Sequence, residues 1–228
     1  MRVVGGEWRL VDVGRIGAYF VVDVGDAPGW HPVAELYADA GGALDLLVTA
    51  YADRLRTGER RVAASILFQG YAARLWSPVL GCVALGMPPP DLAARRLRWR
   101  YRPGEPMGLN LAAPEPAAGP VPPVIVHEHL TPLVAALHRL TGVARNLLWG
   151  NAASALAGTL TALRLAGVRI GVATAVVRGL LESAPLRGTG ALTLPGGRPA
   201  FRRRSCCLYY RLPGGGLCGD CCLTRVPD

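Results

Sequence analysis

Cys206, Cys207, Cys218, Cys221 and Cys222 stand within the last 23 residues of a chain that has 6 cysteines in all. Thiols crowded in this way bind metals or react more often than they merely pack. The Cys218-Gly-Asp-Cys221 pair has the two-residue spacing whose tight turn lets two thiolates face one metal. Adjacent Cys206 and Cys207 point in divergent directions and suit a single tetrahedral zinc poorly, whereas a centre with two irons accepts neighbouring thiolates. The pattern Cys-Cys-x10-Cys-x2-Cys therefore favours an iron–sulfur centre, with a zinc site or a set of redox-active thiols as alternatives. Cys82 is remote from this group, in an apolar stretch, and reads as a small buried hydrophobe.

Other chemistry finds little support. His127-Glu128-His129 lacks the His-Glu-x-x-His spacing and reads as a polar patch before a helix, and His31 and His138 are isolated. No Gly-x-Ser-x-Gly elbow is present. The chain has no lysine, which excludes a Gly-x4-Gly-Lys phosphate loop, and no Gly-x-Gly-x-x-Gly follows a strand. Gly214-Gly-Gly216 lies inside the cysteine motif and reads as loop flexibility. Electrons for a redox centre would have to come from outside the chain.

The segment Arg203-Arg-Ser-Cys-Cys-Leu-Tyr-Tyr-Arg-Leu-Pro-Gly-Gly-Gly-Leu-Cys-Gly-Asp-Cys221 resembles the C-terminal signature of the FhuF-like ferric siderophore reductases, and Leu147-Leu-Trp-Gly-Asn-Ala-Ala-Ser154 resembles a second, shorter segment of the same family. The resemblance implies a [2Fe-2S] cluster on Cys206, Cys207, Cys218 and Cys221. Cys222 departs from the family pattern, as a spare thiol or a substitute for Cys221. It further implies one-electron reduction of Fe(III) in a siderophore complex, with release of Fe(II) in the cytoplasm and a ferredoxin or flavoprotein as electron donor. Near the cysteines, Arg202, Arg203, Arg204 and Arg211 would offset thiolate charge or dock a charged partner, and Tyr209 and Tyr210 are candidate substrate contacts.

The rest of the chain must position this centre. Its 228 residues, 51% apolar and 18% charged, suffice for one globular domain with a small appendage and exclude a large multidomain assembly. The expected fold is α+β and predominantly helical: a main unit over 1–200 with a few short strands, then a cluster-binding segment over 201–228. Periodicity predicts helices over 33–57, 60–85 (with Pro78 kinking or restarting it), 131–141, 143–166 and 168–183. Residues 7–24 read as one or two short strands, and 191–194 as another. Arg95 to Arg102 alternate strictly, predicting a strand with Leu97, Trp99 and Tyr101 on one face and arginines on the other. Seven prolines between 103 and 123 predict a loop or hinge.

Net charge is +9, all of its positive residues being arginine, and from Arg164 onward ten arginines face only Glu182, Asp220 and Asp228. This basic balance admits a rival reading, a nucleic-acid-binding regulator with a C-terminal metal module, although no helix-turn-helix or finger spacing supports it and no nucleic acid is expected. A third reading is an iron–sulfur electron carrier or iron-transport accessory without turnover. The longest uncharged run, Asn146 to Leu163, is broken by polar residues and glycine and reads as a buried helix, so no transmembrane segment is expected. With no apolar leader after Met1, the expected location is the cytoplasm.

Overall fold

A computed structural model of the chain describes residues 10–38 and 42–227. Two long helices form its spine: α3 (Arg60–Ala84) and α6 (Arg145–Leu165). Both are apolar around most of their circumference and are buried along most of their length, as expected of central helices. Small residues on α6, among them Ala152, Ala153 and Ala155, let it approach α3 closely. Around this pair lie α1 (Leu10–Gly14), α2 (Ala43–Leu55), α5 (Thr131–Thr141) and α7 (Gly171–Leu181). Phe68, Tyr71, Leu75 and Trp76 of α3 fill the core between them.

Two small sheets flank the helices. The first has the order β1-β4-β3-β2, built from β1 (Asp23–Val24), β2 (His31–Pro32), β3 (Leu97–Arg100) and β4 (Gly108–Leu111). Its β1–β4 pair is parallel, and Trp99 faces Leu109 across the antiparallel β3–β4 pair. Arg74 of α3 ties this sheet to the spine: its buried guanidinium donates to the carbonyls of Met107 (2.7 Å), Ala18 (2.6 Å) and Val21 (2.5 Å). Burial lowers its pKa to about 10, still far above neutrality. The second sheet is a hairpin of β5 (Gly190–Thr193) and β6 (Ala200–Arg203), with Gly190 opposite Arg203.

The mostly helical α+β expectation holds, with differences in detail. Residues 10–20 form the helix α1 and a 3-10 turn at Ala18–Phe20, because Leu10, Val13 and Phe20 all point into the core; only Asp23–Val24 is extended. Residues 7–9 and 39–41 of the expected elements lie outside the described residues. Pro78 sits inside α3 without ending it, since the surrounding core holds the helix on both sides. The proline-rich stretch is more than a loop: it contains β4 and the start of the helical run α4 (Val121–Val124), where Pro122 and Pro123 occupy first-turn positions that need no N–H donor.

That helical run continues through a π-helical stretch, Ile125–Leu130, into α5, which places His129 in the core rather than in a surface patch. Its Nε2–H donates to the Leu92 carbonyl (2.6 Å), leaving Nδ1 to accept from the Tyr37 hydroxyl (2.7 Å), itself 2.5 Å from the Tyr71 hydroxyl. Burial holds the His129 pKa below its ordinary value, with Leu92 and Glu128 opposing the shift. The folded state therefore prefers the neutral ring, and this contribution to stability is complete above about pH 6.5 and is lost as the pH falls. The unfolding midpoint of the wild type should drop between about pH 7 and pH 5 by more than that of His129→Gln; equal drops in denaturant titrations would refute the assignment.

Candidate metal centre

The cysteine segment leaves the fold at β6 and turns back across α3 and α6. Its anchor is Arg203, whose side chain has no solvent exposure. The guanidinium donates to Asp220 Oδ2 (3.1 Å), Asn151 Oδ1 (2.6 Å) and Gln69 Oε1 (3.5 Å), and the Arg203 N–H donates to the Asp220 carbonyl (3.0 Å). Asn151 in turn donates to the Ser65 carbonyl (2.8 Å) and hydroxyl (2.9 Å), and the Ser65 hydroxyl donates to the Cys207 carbonyl (2.6 Å). One buried polar network thus joins both central helices to both halves of the cysteine motif. A low local dielectric strengthens each link and makes each expensive to break.

Two glycines permit the close approach. A Cβ on Gly150 of α6 would lie 2.2 Å from Ser205 Oγ, and one on Gly215 would lie 2.3 Å from the Tyr209 carbonyl oxygen. The Trp-Gly-Asn stretch of α6 is therefore a docking surface for the cysteine segment: Gly150 gives it room and Asn151 holds Arg203. Similarly, the central glycine of Gly214-Gly-Gly216 serves a tight turn, Gly215 N–H donating to the Leu212 carbonyl at 2.8 Å, rather than loose flexibility.

The thiols are free of disulfides, Cys207 being buried and Cys206, Cys218, Cys221 and Cys222 half-buried. Cys207 Sγ lies 3.4 Å from Cys218 Sγ, close to the spacing of two thiolates on one tetrahedral metal with metal–sulfur bonds of about 2.3 Å. Leu208 N–H donates to Cys206 Sγ at 3.3 Å and Leu223 N–H to Cys221 Sγ at 3.4 Å, the same two-residue loop at both ends of the motif. The Cys221 N–H closes its turn on the Cys218 carbonyl at 3.1 Å. Among the described residues no three metal-binding side chains already stand in coordinating geometry; the Cys207–Cys218 pair is the preformed part.

Electrostatics state what the thiols lack. Burial pushes the Cys206 thiol up, opposed by the Leu208 N–H and reinforced by Cys207, Cys222 and Cys221. Cys218 is pushed well above its ordinary value by burial and by its contact with Cys207, with Asp220 adding to the rise and Arg203 opposing it. Thiols this close cannot all ionise beside one another without a cation among them, so the donor set fits an iron–sulfur group, which supplies that charge. Cys82 differs: burial alone raises its pKa to about 12, and it sits in α3 as a fully buried member of the hydrophobic core.

The candidate basic and aromatic residues take separate positions. Arg203 is internal, Arg202 and Arg204 are exposed, and Arg202 reaches the Cys222 carbonyl at 3.5 Å. Arg211 pairs with Glu59 at the start of α3 (2.7 Å), whose carboxyl that bond holds below the usual range. Tyr209 is exposed beside the thiols, while Tyr210 lies near the Arg211 guanidinium, 6.0 Å from its ring centre. Sequence reasoning missed Gln69, Ser65 and Asp220, which look like ordinary surface polar residues until the fold brings them to Arg203. Three arginines of the β3 region are engaged by other residues of the chain at the surface: Arg98 with Asp26 (2.5 Å), Arg96 with Glu115 (2.9 Å) and Arg100 over the Trp30 ring (4.0 Å).

Cys207 and Cys218 also form part of the wall of an open groove of about 1230 Å³, shared with Gln69 of α3, Ser154 of α6 and Tyr209. No helix among the described residues is long and apolar enough to cross a membrane. No curated protein matches the chain. Residues 203–223 match the family model of the FhuF 2Fe-2S C-terminal domain, the stretch that runs from the buried anchor Arg203 through all five clustered cysteines. Docked thiols without disulfides, a donor set that fits a [2Fe-2S] cofactor and this match together make residues 203–223 a segment similar to the FhuF 2Fe-2S C-terminal domain.

Proposed function

We propose that the protein is a cytoplasmic ferric siderophore reductase whose [2Fe-2S] cluster is held by Cys206, Cys207, Cys218 and Cys221. The observation that carries this reading is the docked cysteine segment, matched to the FhuF 2Fe-2S domain and half-exposed at the groove wall. Cys207 and Cys218, 3.4 Å apart, would hold one side of the cluster, and Cys206 and Cys221 would complete the ligand set. Cys221 is preferred over Cys222 because its sulfur, like that of Cys206, receives an N–H from two residues ahead, which stabilises a thiolate. When bound, the cluster stores and releases one electron at a time.

The chain's own residues set the conditions for that transfer. Arg203 fixes the Cys218–Cys221 loop through Asp220 and keeps a positive charge behind it. Exposed Arg202 and Arg204 add positive charge that offsets thiolate charge and attracts an acidic electron donor, a ferredoxin or flavoprotein. Iron(III) is a hard cation matched to the oxygen donors of a siderophore. Adding one electron gives iron(II), which those donors hold far less tightly, so the metal is released without any bond between protein and siderophore.

The test is anaerobic single-turnover mixing. Dithionite-reduced protein, freed of excess reductant, is mixed with a ferric siderophore in the presence of an iron(II) trap. The reading expects reoxidation of the protein with about one trapped Fe(II) per electron stored. A reduced centre that stays reduced in the presence of a panel of ferric siderophores contradicts it and leaves an electron carrier.

A further inference from the structure

We propose that a second, smaller pocket, between α3, β1 and the turn after β3, is a binding site for a small molecule bearing an oxyanionic group, phosphate or carboxylate. No cysteine lines it, and it stands apart from the reductase reading. The pocket holds about 350 Å³, near the lower end of the roughly 300–1,000 Å³ of ordinary small-molecule sites. Three arginines line it: Arg74 of α3, Arg100 at the end of β3 and Arg102 in the turn that follows. Strand alternation gives Arg100 and Arg102 a common face. The turn is closed by Glu105 N–H, which donates to the Arg102 carbonyl at 3.2 Å.

Arg74 lacks a counter-charge. It and Arg203 are the buried arginines among the described residues, 3% and 2% exposed. Arg203 has Asp220, whereas Arg74 donates to three backbone carbonyls and, among the described residues, forms no ion pair. Carbonyl dipoles replace the hydration of a buried cation without neutralising it, so such a cation ordinarily has an anion beside it. Arg74 keeps two N–H groups beyond those three bonds. Asp23 and Glu105 also line the wall, but neither pairs with any of the three arginines, and Asp23 acts on Arg74 only across a distance. Nearby in the chain the pattern is the opposite, Arg96 and Arg98 each being matched to a carboxylate. Arg100 instead lies over the Trp30 ring, which fits against Gly108 so closely that a Cβ there would lie 3.0 Å from it. Arg102 is exposed, its guanidinium without a partner among the described residues. Three cations outweigh two carboxylates on the wall, and the guanidinium fork matches the paired oxygens of phosphate and carboxylate.

The site has a neighbour. Ala18, Glu105 and Pro106 belong both to this pocket and to the open groove beside Cys207 and Cys218, so the two cavities share a wall. An occupant held by Arg102 would brace the turn that forms part of that wall. Binding is non-covalent and moves no electron, so it needs neither the cluster nor a donor.

Equilibrium dialysis of the anaerobically purified holoprotein against labelled inorganic phosphate and, separately, labelled malonate tests the site. Ionic strength is held constant with chloride, because a chain of net charge +9 attracts anions generally. Arg102→Glu and Arg100→Gln remove pocket cations, while Arg74 is left in place because it ties the sheet to α3. Arg169→Glu makes the same change of charge as Arg102→Glu at an exposed position outside the pocket. The expected result is one saturable site with a dissociation constant of about 1 mM or tighter, weakened at least about tenfold in both pocket variants and no more than about twofold in Arg169→Glu. Amide exchange over 102–108 should slow when the anion is bound, with cluster absorption unchanged. Saturable binding of phosphate alone, or of malonate alone, with that pattern of variants supports the site and tells which group it takes. No saturable binding of either anion up to about 10 mM would overturn the assignment. An equal loss in Arg169→Glu would also overturn it, by tracing the binding to overall charge.

Discussion

Cys218→Ser should purify without the brown colour of the wild type, retaining its helical fold but little cluster. Cys218 contributes twice: it is one half of the preformed pair with Cys207, 3.4 Å away, and its turn carries Asp220 to Arg203. Removing an outer-shell partner of a metal ligand costs roughly 10–100-fold in affinity, and removal of the ligand itself should cost more. The helical body does not depend on this thiol, since its core lies among α1–α7, so far-ultraviolet circular dichroism should be unchanged. Cys207→Ser should behave in the same way. Cys222→Ala and Cys82→Ala should keep their iron and their absorption spectra. Iron loss in Cys222→Ala with retention in Cys221→Ala would reverse the assignment of the fourth ligand.

Arg203→Met carries the second large effect, and its cause is different. The substitution leaves Asp220 without its cation and strips Asn151 and Gln69 of their donor in a buried setting. Breaking a buried ion pair by removing one partner costs about 3–5 kcal/mol. That loss falls on the docking of the cysteine segment, so cluster lifetime on air exposure should shorten more than the thermal midpoint of the helical body falls. Arg203→Lys should recover only part of the effect, because an ammonium cannot reach Asp220, Asn151 and Gln69 together as the guanidinium fork does. Adding Asp220→Asn to Arg203→Met should restore part of the stability by removing the stranded carboxylate. Equal cluster lifetimes in wild type and Arg203→Met would show that the network is incidental.

Much of this was legible in the residues. Five clustered cysteines announced a metal site, and the 3.6-residue periodicity placed α3, α6 and α7 to within a few positions. The alternation of Leu97 and Trp99 with Arg98 and Arg100 marked β3. Long-range packing decided the rest. Nothing local distinguishes Arg203 from Arg202 and Arg204, yet the pleat of β6 turns it inward to Asn151 while its neighbours face water. Leu10 to Phe20 is β-branched and glycine-broken enough to suggest strands, but the neighbouring α3 accepts it as a helix and turn. His129 looked like half of a polar pair until the π-helical stretch rotated it into the core beside Tyr37 and Tyr71. The groove was invisible for a similar reason, since nothing local distinguishes Gly158, which has open space around its Cβ position on the groove wall, from the buried small residues of the same helix.

Metal and sulfide analysis of protein purified anaerobically, paired with the electron paramagnetic resonance spectrum of the dithionite-reduced sample, tests the centre most directly. The account predicts about two irons and two acid-labile sulfides per chain, with a one-electron signal on reduction that disappears in Cys207→Ser and Cys218→Ser. One zinc per chain, no sulfide and no signal would contradict it, and the cysteine segment would then be a zinc-binding module.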